Sequence, residues 1–157
     1  MSRRRRAVKR RIPNDPIYQS YTLAKFINRV MQDGKKSVAR AIVYRALEKF
    51  AQRVKTDNPL DAFEQALENS KPSLEVKTRR IGGANYQVPV EIPGERRTAM
   101  AMGWIITHAR SKPGRAMEEA LASELADCYH NQGTTIKKKD DTHRMAEANK
   151  AFAHYKW

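Results

Sequence analysis

Apolar side chains recur at three- and four-residue intervals through most of the chain, and the breaks between the runs predict helix ends. Leu23, Phe26, Ile27, Val30 and Met31 mark a first helix that Asp33-Gly34 stops. Val38, Ile42, Val43, Leu47, Phe50 and Val54 share one face of a second, with Arg40, Arg45, Lys49 and Arg53 largely on others. Asn58-Pro59 reads as an N-cap followed by proline at the first helical position, with Asp61 and Glu64 complementing the dipole and Leu60, Phe63, Ala66 and Leu67 buried. Met100, Ala101, Trp104, Ile105 and His108 mark a fourth helix between Pro93-Gly94 and Ser111-Lys112-Pro113-Gly114. Met117, Leu121, Leu125, Cys128 and Tyr129 mark a fifth. After Gly133, Thr134 and Thr135, a sixth helix is expected from about Ile136, carrying Met145, Ala146, Asn149, Phe152 and Ala153.

The period drops to two at Ser73. Leu74, Val76 and Thr78 alternate with Glu75, Lys77 and Arg79, and Tyr86, Val88, Val90 and Ile92 alternate with Gln87, Pro89 and Glu91. A β-hairpin at about 73–92 follows, with Arg80-Ile81-Gly82-Gly83-Ala84-Asn85 as its connection and Pro89 on an edge strand. The expected fold class is therefore mainly α: a six-helix bundle with a protruding two-stranded β-hairpin arm and a disordered basic N-terminal tail. No repeat and no alternation of strand with helix is present. Residues 1–12 form the tail, and residues 13–157 a single helical domain, a normal size for one packed core.

Charge changes the picture. Thirty-one basic against 17 acidic side chains leave a formal +14 on 157 residues, with seven cations in residues 1–12: Arg3, Arg4, Arg5, Arg6, Lys9, Arg10 and Arg11. Residues 13–56 carry +6, whereas residues 57–70 carry −4, so one side of the fold is expected to be basic and to face a polyanion. The arm repels itself and is expected to order only against phosphate. Cys128 is the single cysteine, which excludes an intramolecular disulfide and points to a reducing compartment. No apolar run approaches the ~20 residues of a membrane span, so a soluble chain is expected.

Candidate chemistry favours phosphate binding over catalysis. Gly34-Lys35-Lys36-Ser37 resembles the end of a phosphate-cradling loop, but Arg29 stands where the first glycine belongs and a helix precedes it. The better reading is a two-lysine clamp between helices. His108, His130, His143 and His154 fall in no metal or acid–base spacing, and Asp140-Asp141 reads as a pair of helix-start charges. No cofactor and no small-molecule substrate are expected. The phosphate readers are the arm, Lys35, Lys36, Lys77, Arg79, Arg80, Arg96, Arg97, Arg110, Lys112, Arg115 and Lys137 to Lys139, ranked by their place in loops or beside glycines. Tyr86 and Trp157 are the candidates for stacking on bases.

Three stretches carry a resemblance: DPIYQSYTLAKFINRVMQDGKKSVA from Asp15 to Ala39, KTRRIGGANYQVPVEI from Lys77 to Ile92, and THRMAEANKAFAHYKW at the end. The chain resembles the small-subunit ribosomal protein S seven family of bacterial or organellar type over essentially its whole length beyond the arm. That resemblance implies a helical bundle with a protruding hairpin and binding in place of catalysis. It also implies primary binding to the three-prime major domain of small-subunit rRNA, nucleation of the subunit head, and a location on the ribosome near exit-site tRNA and mRNA. By the same resemblance the arm and the Lys35-Lys36 turn face rRNA. The tip residues Arg79, Arg80, Gly82, Gly83, Asn85 and Tyr86, with Arg144 of the C-terminal helix, then lie toward mRNA and tRNA. Neighbouring head and platform proteins are implied partners. A free-standing RNA chaperone or architectural binder is the alternative, and an enzyme acting on nucleic acid is a third.

Overall fold

A computed structural model of the chain describes residues 10–155. Six α-helices lie among them: α1 (Tyr21–Val30), α2 (Lys36–Val54), α3 (Pro59–Ser70), α4 (Gly94–Arg110), α5 (Met117–Tyr129) and α6 (Gly133–Ala148). Between α3 and α4 the chain inserts an antiparallel pair, β1 (Leu74–Ile81) and β2 (Ala84–Glu91), and it continues after α6 into a 3-10 helix, Lys150–Tyr155. The mainly α class with one hairpin is the observed one. The tail residues Arg3 to Lys9 and the C-terminal Trp157 lie outside the described residues.

Helix α5 is the hub, packed on α2, α3, α4 and α6. It buries Ala120, Leu121, Ala122, Leu125 and Cys128, apolar on more of its circumference than a surface helix, because neighbours surround it. Phe26, Phe50 and Phe63 are fully buried, and Phe26 meets Phe63 edge-to-face at 5.1 Å between centroids. Burial pushes the Cys128 thiol up to about 11, so it behaves as a small apolar residue. On α2 the buried stripe runs through Ala39, Val43, Ala46, Leu47 and Phe50, and Val38, expected on it, is 53% exposed.

Local signals act as the sequence indicates. The Asn58 side chain accepts from the N–H groups of Leu60 and Asp61, and Ser20 caps α1 by accepting from Leu23. Asp15, buried, accepts from the N–H groups of Ile17 and Tyr18 and from the Tyr44 hydroxyl at 2.6 Å, which pins the entry segment to α2. Burial and this bond push the Tyr44 phenol up to about 12.

Three boundaries differ from expectation. Helix α6 starts at Gly133, so Thr134 and Thr135 lie inside it and Asp140-Asp141 sits mid-helix, not at a helix start. It ends at Ala148, where the Asn149 backbone and side-chain N–H groups both donate to the Met145 carbonyl and the chain tightens into the 3-10 helix. In the hairpin, Ile81 pairs with Ala84, so the connection is two residues and not six. Gly82 and Gly83 take φ of +57° and +88°, which a two-residue primed turn needs. The register puts the apolar sets of the two strands on opposite faces. Arg79 opposes Tyr86 and Lys77 opposes Val88, while Val76 opposes Pro89 on the other face.

Candidate nucleic-acid interface

The cations sort into those already engaged by the fold and those with no partner among the described residues. Arg96 grips Glu75 in a forked pair, Nε at 3.1 Å from Oε1 and Nη2 at 2.9 Å from Oε2, and Lys77 adds a contact at 3.3 Å. The hydrogen bond from Arg96 outweighs burial and holds the Glu75 carboxyl below the usual range. Arg97 Nε donates to the Ile92 carbonyl at 2.7 Å, and Arg110 Nη2 donates to the Val30 carbonyl at 3.0 Å, satisfying the end of α1. Lys139 Nζ donates to the Asn69 carbonyl. Arg79 donates to the Tyr155 carbonyl, and Arg144 lies 3.5 Å from Asp141.

Lys112 is the most deeply committed. Its ammonium lies 2.8 Å from Oε2 of Glu124, a fully buried carboxylate whose Oε1 accepts from Thr134 Oγ1, Thr135 Oγ1 and the Thr135 N–H. Burial raises the Glu124 pKa, yet the Lys112 and threonine contacts prevail and hold it below the usual carboxylate range. His108 Nδ1 lies 2.9 Å from Thr135 Oγ1 and continues the same network, and His143 Nε2 accepts from the Ser73 N–H at 2.9 Å. These histidines are thus structural contacts.

Arg10, Arg11, Lys35, Lys36, Arg80, Arg115, Lys137 and Lys138 carry no ion pair or side-chain hydrogen bond among the described residues. All except Lys36 are exposed. The fold brings two of the expected loci together. Lys35, from the α1–α2 turn, and Arg110, at the end of α4, line one groove of about 310 Å³ with Gln32, Asp33, Val38 and Met117. Arg80 and Asn85 are cross-strand neighbours beside the exposed Gly82-Gly83 tip. Tyr86 packs on Phe152 at 5.4 Å and on Tyr155 at 5.2 Å, so its ring already has aromatic partners.

Among the cations not expected as phosphate readers, Lys25 and Arg29 come together. Lys25 lies 4.5 Å above the Tyr21 ring, and Arg29 crosses Gly103 so closely that a Cβ there would sit 2.7 Å from Nη2. Both line a groove with Asn28, Thr98 and Glu95. Their i, i+4 spacing on α1 was the available signal. Among the described residues no His/Cys/Asp/Glu group could hold a metal ion, and no helix is long and apolar enough to cross a membrane.

A helical scaffold that leaves Lys35, Arg80 and Arg115 exposed and without an ion pair among the described residues defines a basic, nucleic-acid-binding class of protein. A family model described as Ribosomal protein S7p/S5e matches residues 2–150, and the chain belongs to that family. It is 73% identical over all 157 residues of both chains to the small ribosomal subunit protein uS7 of Protochlamydia amoebophila (strain UWE25). The proteins of the same name from Chlamydia trachomatis serovar D and Chlamydia pneumoniae are 66% identical, again over the full length of each. The chain is thus an RNA-binding structural constituent of a bacterial-type small ribosomal subunit, and not an enzyme.

Proposed function

We propose that this chain is a primary binder of the three-prime major domain of small-subunit rRNA, nucleates assembly of the subunit head in the bacterial cytoplasm, and directs its hairpin toward mRNA and exit-site tRNA. The division of cations carries this reading. Internal pairs with Glu75 and Glu124 rigidify the scaffold, while Lys35, Lys36, Arg80 and Arg115, in or beside turns, have no ion pair among the described residues. Such groups meet phosphates, which fix orientation while shape supplies selectivity.

On this reading the arm residues Arg3 to Arg11, the Lys35-Lys36 turn and Arg115 contact rRNA. Arg96 joins them although paired, because 56% of its side chain remains exposed and the guanidinium has an edge left for phosphate. Lys77, Arg97, Arg110 and Lys112 border the same surfaces with their remaining donors. Arg80, Gly82, Gly83 and Asn85, with Arg79, Tyr86 and Arg144 behind them, lie toward mRNA and tRNA, and head and platform proteins flank the fold. Competition binding tests the assignment: the three-prime domain junction should outcompete random duplex RNA by more than about tenfold at moderate salt. Equal competition by the two would overturn it in favour of a chaperone.

A further inference from the structure

The hairpin needs support from outside itself, since an isolated two-stranded ribbon is marginal in water. Its base has that support. His143 of α6 accepts from the Ser73 N–H, and Arg96 of α4 grips Glu75. Farther out, ring contacts to Tyr86 and a hydrogen bond from Arg79 come from the C-terminal 3-10 helix. Tyr86 packs on Phe152 and Tyr155, and the Tyr155 carbonyl accepts from Arg79, which is Tyr86's directly opposed partner on β1. Both strands are thus gripped at one rung of the ladder. The 3-10 helix buries no residue in the core, so the contact serves the hairpin and not the bundle.

We propose that Phe152 and Tyr155 are positioning residues: the C-terminal 3-10 helix is a strut that sets the direction of the hairpin and so presents Arg80 and the glycine tip to RNA along one path, an assignment that rests on the hairpin being an RNA-facing arm. A hairpin free to swing must lose that freedom on binding, whereas a strutted one has lost it beforehand. The strut works through backbone and ring faces. Arg79 bonds the Tyr155 carbonyl, not its hydroxyl, so phenylalanine at 155 should serve equally.

Two readouts on the full-length protein test this, in a Cys128→Ala background that leaves no other thiol. Spin labels at Gln52→Cys on α2 and Asn85→Cys at the tip report hairpin direction in the free protein. One narrow distance distribution is expected for the parent and for Phe152→Tyr/Tyr155→Phe, and a broad one for Phe152→Ala/Tyr155→Ala. A distribution that stays narrow in the alanine pair overturns the strut. Iron chelate tethered at Asn85→Cys reports where the tip sits in reconstituted small subunits, by local cleavage of RNA. Focal cleavage is expected with the parent and a roughly three- to tenfold weaker, spread pattern with the alanine pair, while rRNA protections by the helical body stay in place. If the distances broaden but the parent's tethered probe cuts no RNA, the RNA-facing reading is wrong and the strut loses its function. If the parent cuts focally and the alanine pair cuts identically, the strut alone is wrong.

Discussion

The Glu124–Lys112 pair is where single side chains matter most. A fully buried carboxylate with three hydrogen bonds to one oxygen and a lysine on the other is tolerable only as a complete set. Lys112→Met should therefore strand the charge and lower stability by about 3–5 kcal/mol, whereas Lys112→Met combined with Glu124→Gln should recover part of that loss. Urea unfolding midpoints for the two variants check this. Acid should act on the same site. Because the folded pKa of Glu124 is depressed, its contribution is present above the unfolded value of about 4.3 and is lost as pH falls through the folded value. Glu75 and Glu118 are depressed as well, by Arg96 and by Lys49, and contribute in the same direction. Stability should fall from pH 5 toward pH 3, and Glu124→Gln should flatten that limb without abolishing it, measured by urea midpoints across the range. An unchanged acid limb in Glu124→Gln would show that Glu124 takes no part.

At the scale of elements, the hairpin turn is the sharpest case of residue type dictating geometry. Gly83 sits at φ +88° with open space around the position, so a side chain there meets backbone strain and not a clash. Gly83→Val should loosen the hairpin locally by about 1–2 kcal/mol. Amide exchange across residues 76–90 should then accelerate roughly tenfold while the amides of α5 keep their protection. Gly133 is the contrasting case. Its φ is +87° and a Cβ would also lie 2.8 Å from the Asp127 Cβ, so Gly133→Ala should disturb the α5–α6 junction through both strain and contact. These glycines also show what was legible. Signals carried within a few residues were readable: the Asn58-Pro59 cap, the hairpin with its glycine pair though not the two-residue length of its turn, and the helical stripes through Phe26, Phe50 and Phe63. Features set by distant partners were not. Alternation alone predicts an apolar set on each strand but not which rung opposes which, and the register puts Leu74 and Val88 on opposite faces. Likewise Arg96 and Lys112 read as loop cations because Glu75 and Glu124, their partners, lie 21 and 12 residues away and nothing local marks them.

For the whole molecule, the formal +14 is a standing repulsion that the fold manages by neutralising some cations internally and presenting the others. The two groups should separate experimentally, because a cation that meets phosphate releases counterions and one that braces the scaffold does not. Lys35→Ala/Lys36→Ala removes two side chains with no ion pair or side-chain hydrogen bond among the described residues, so it should leave the melting temperature unchanged and weaken rRNA binding. The slope of log affinity against log salt should also fall by about 1.4–1.8, since each phosphate contact contributes about 0.7–0.9. Arg96→Ala should behave differently. It breaks the forked pair with the nearly buried Glu75 and should lower the melting temperature, while the slope changes by no more than about one unit because a single guanidinium edge is at stake. Fluorescence titrations from about 50 to 200 mM salt, paired with thermal melts, decide the matter. Equal slopes for the parent and the double-lysine variant would mean that the α1–α2 turn does not touch phosphate, and would move the binding face elsewhere on the bundle.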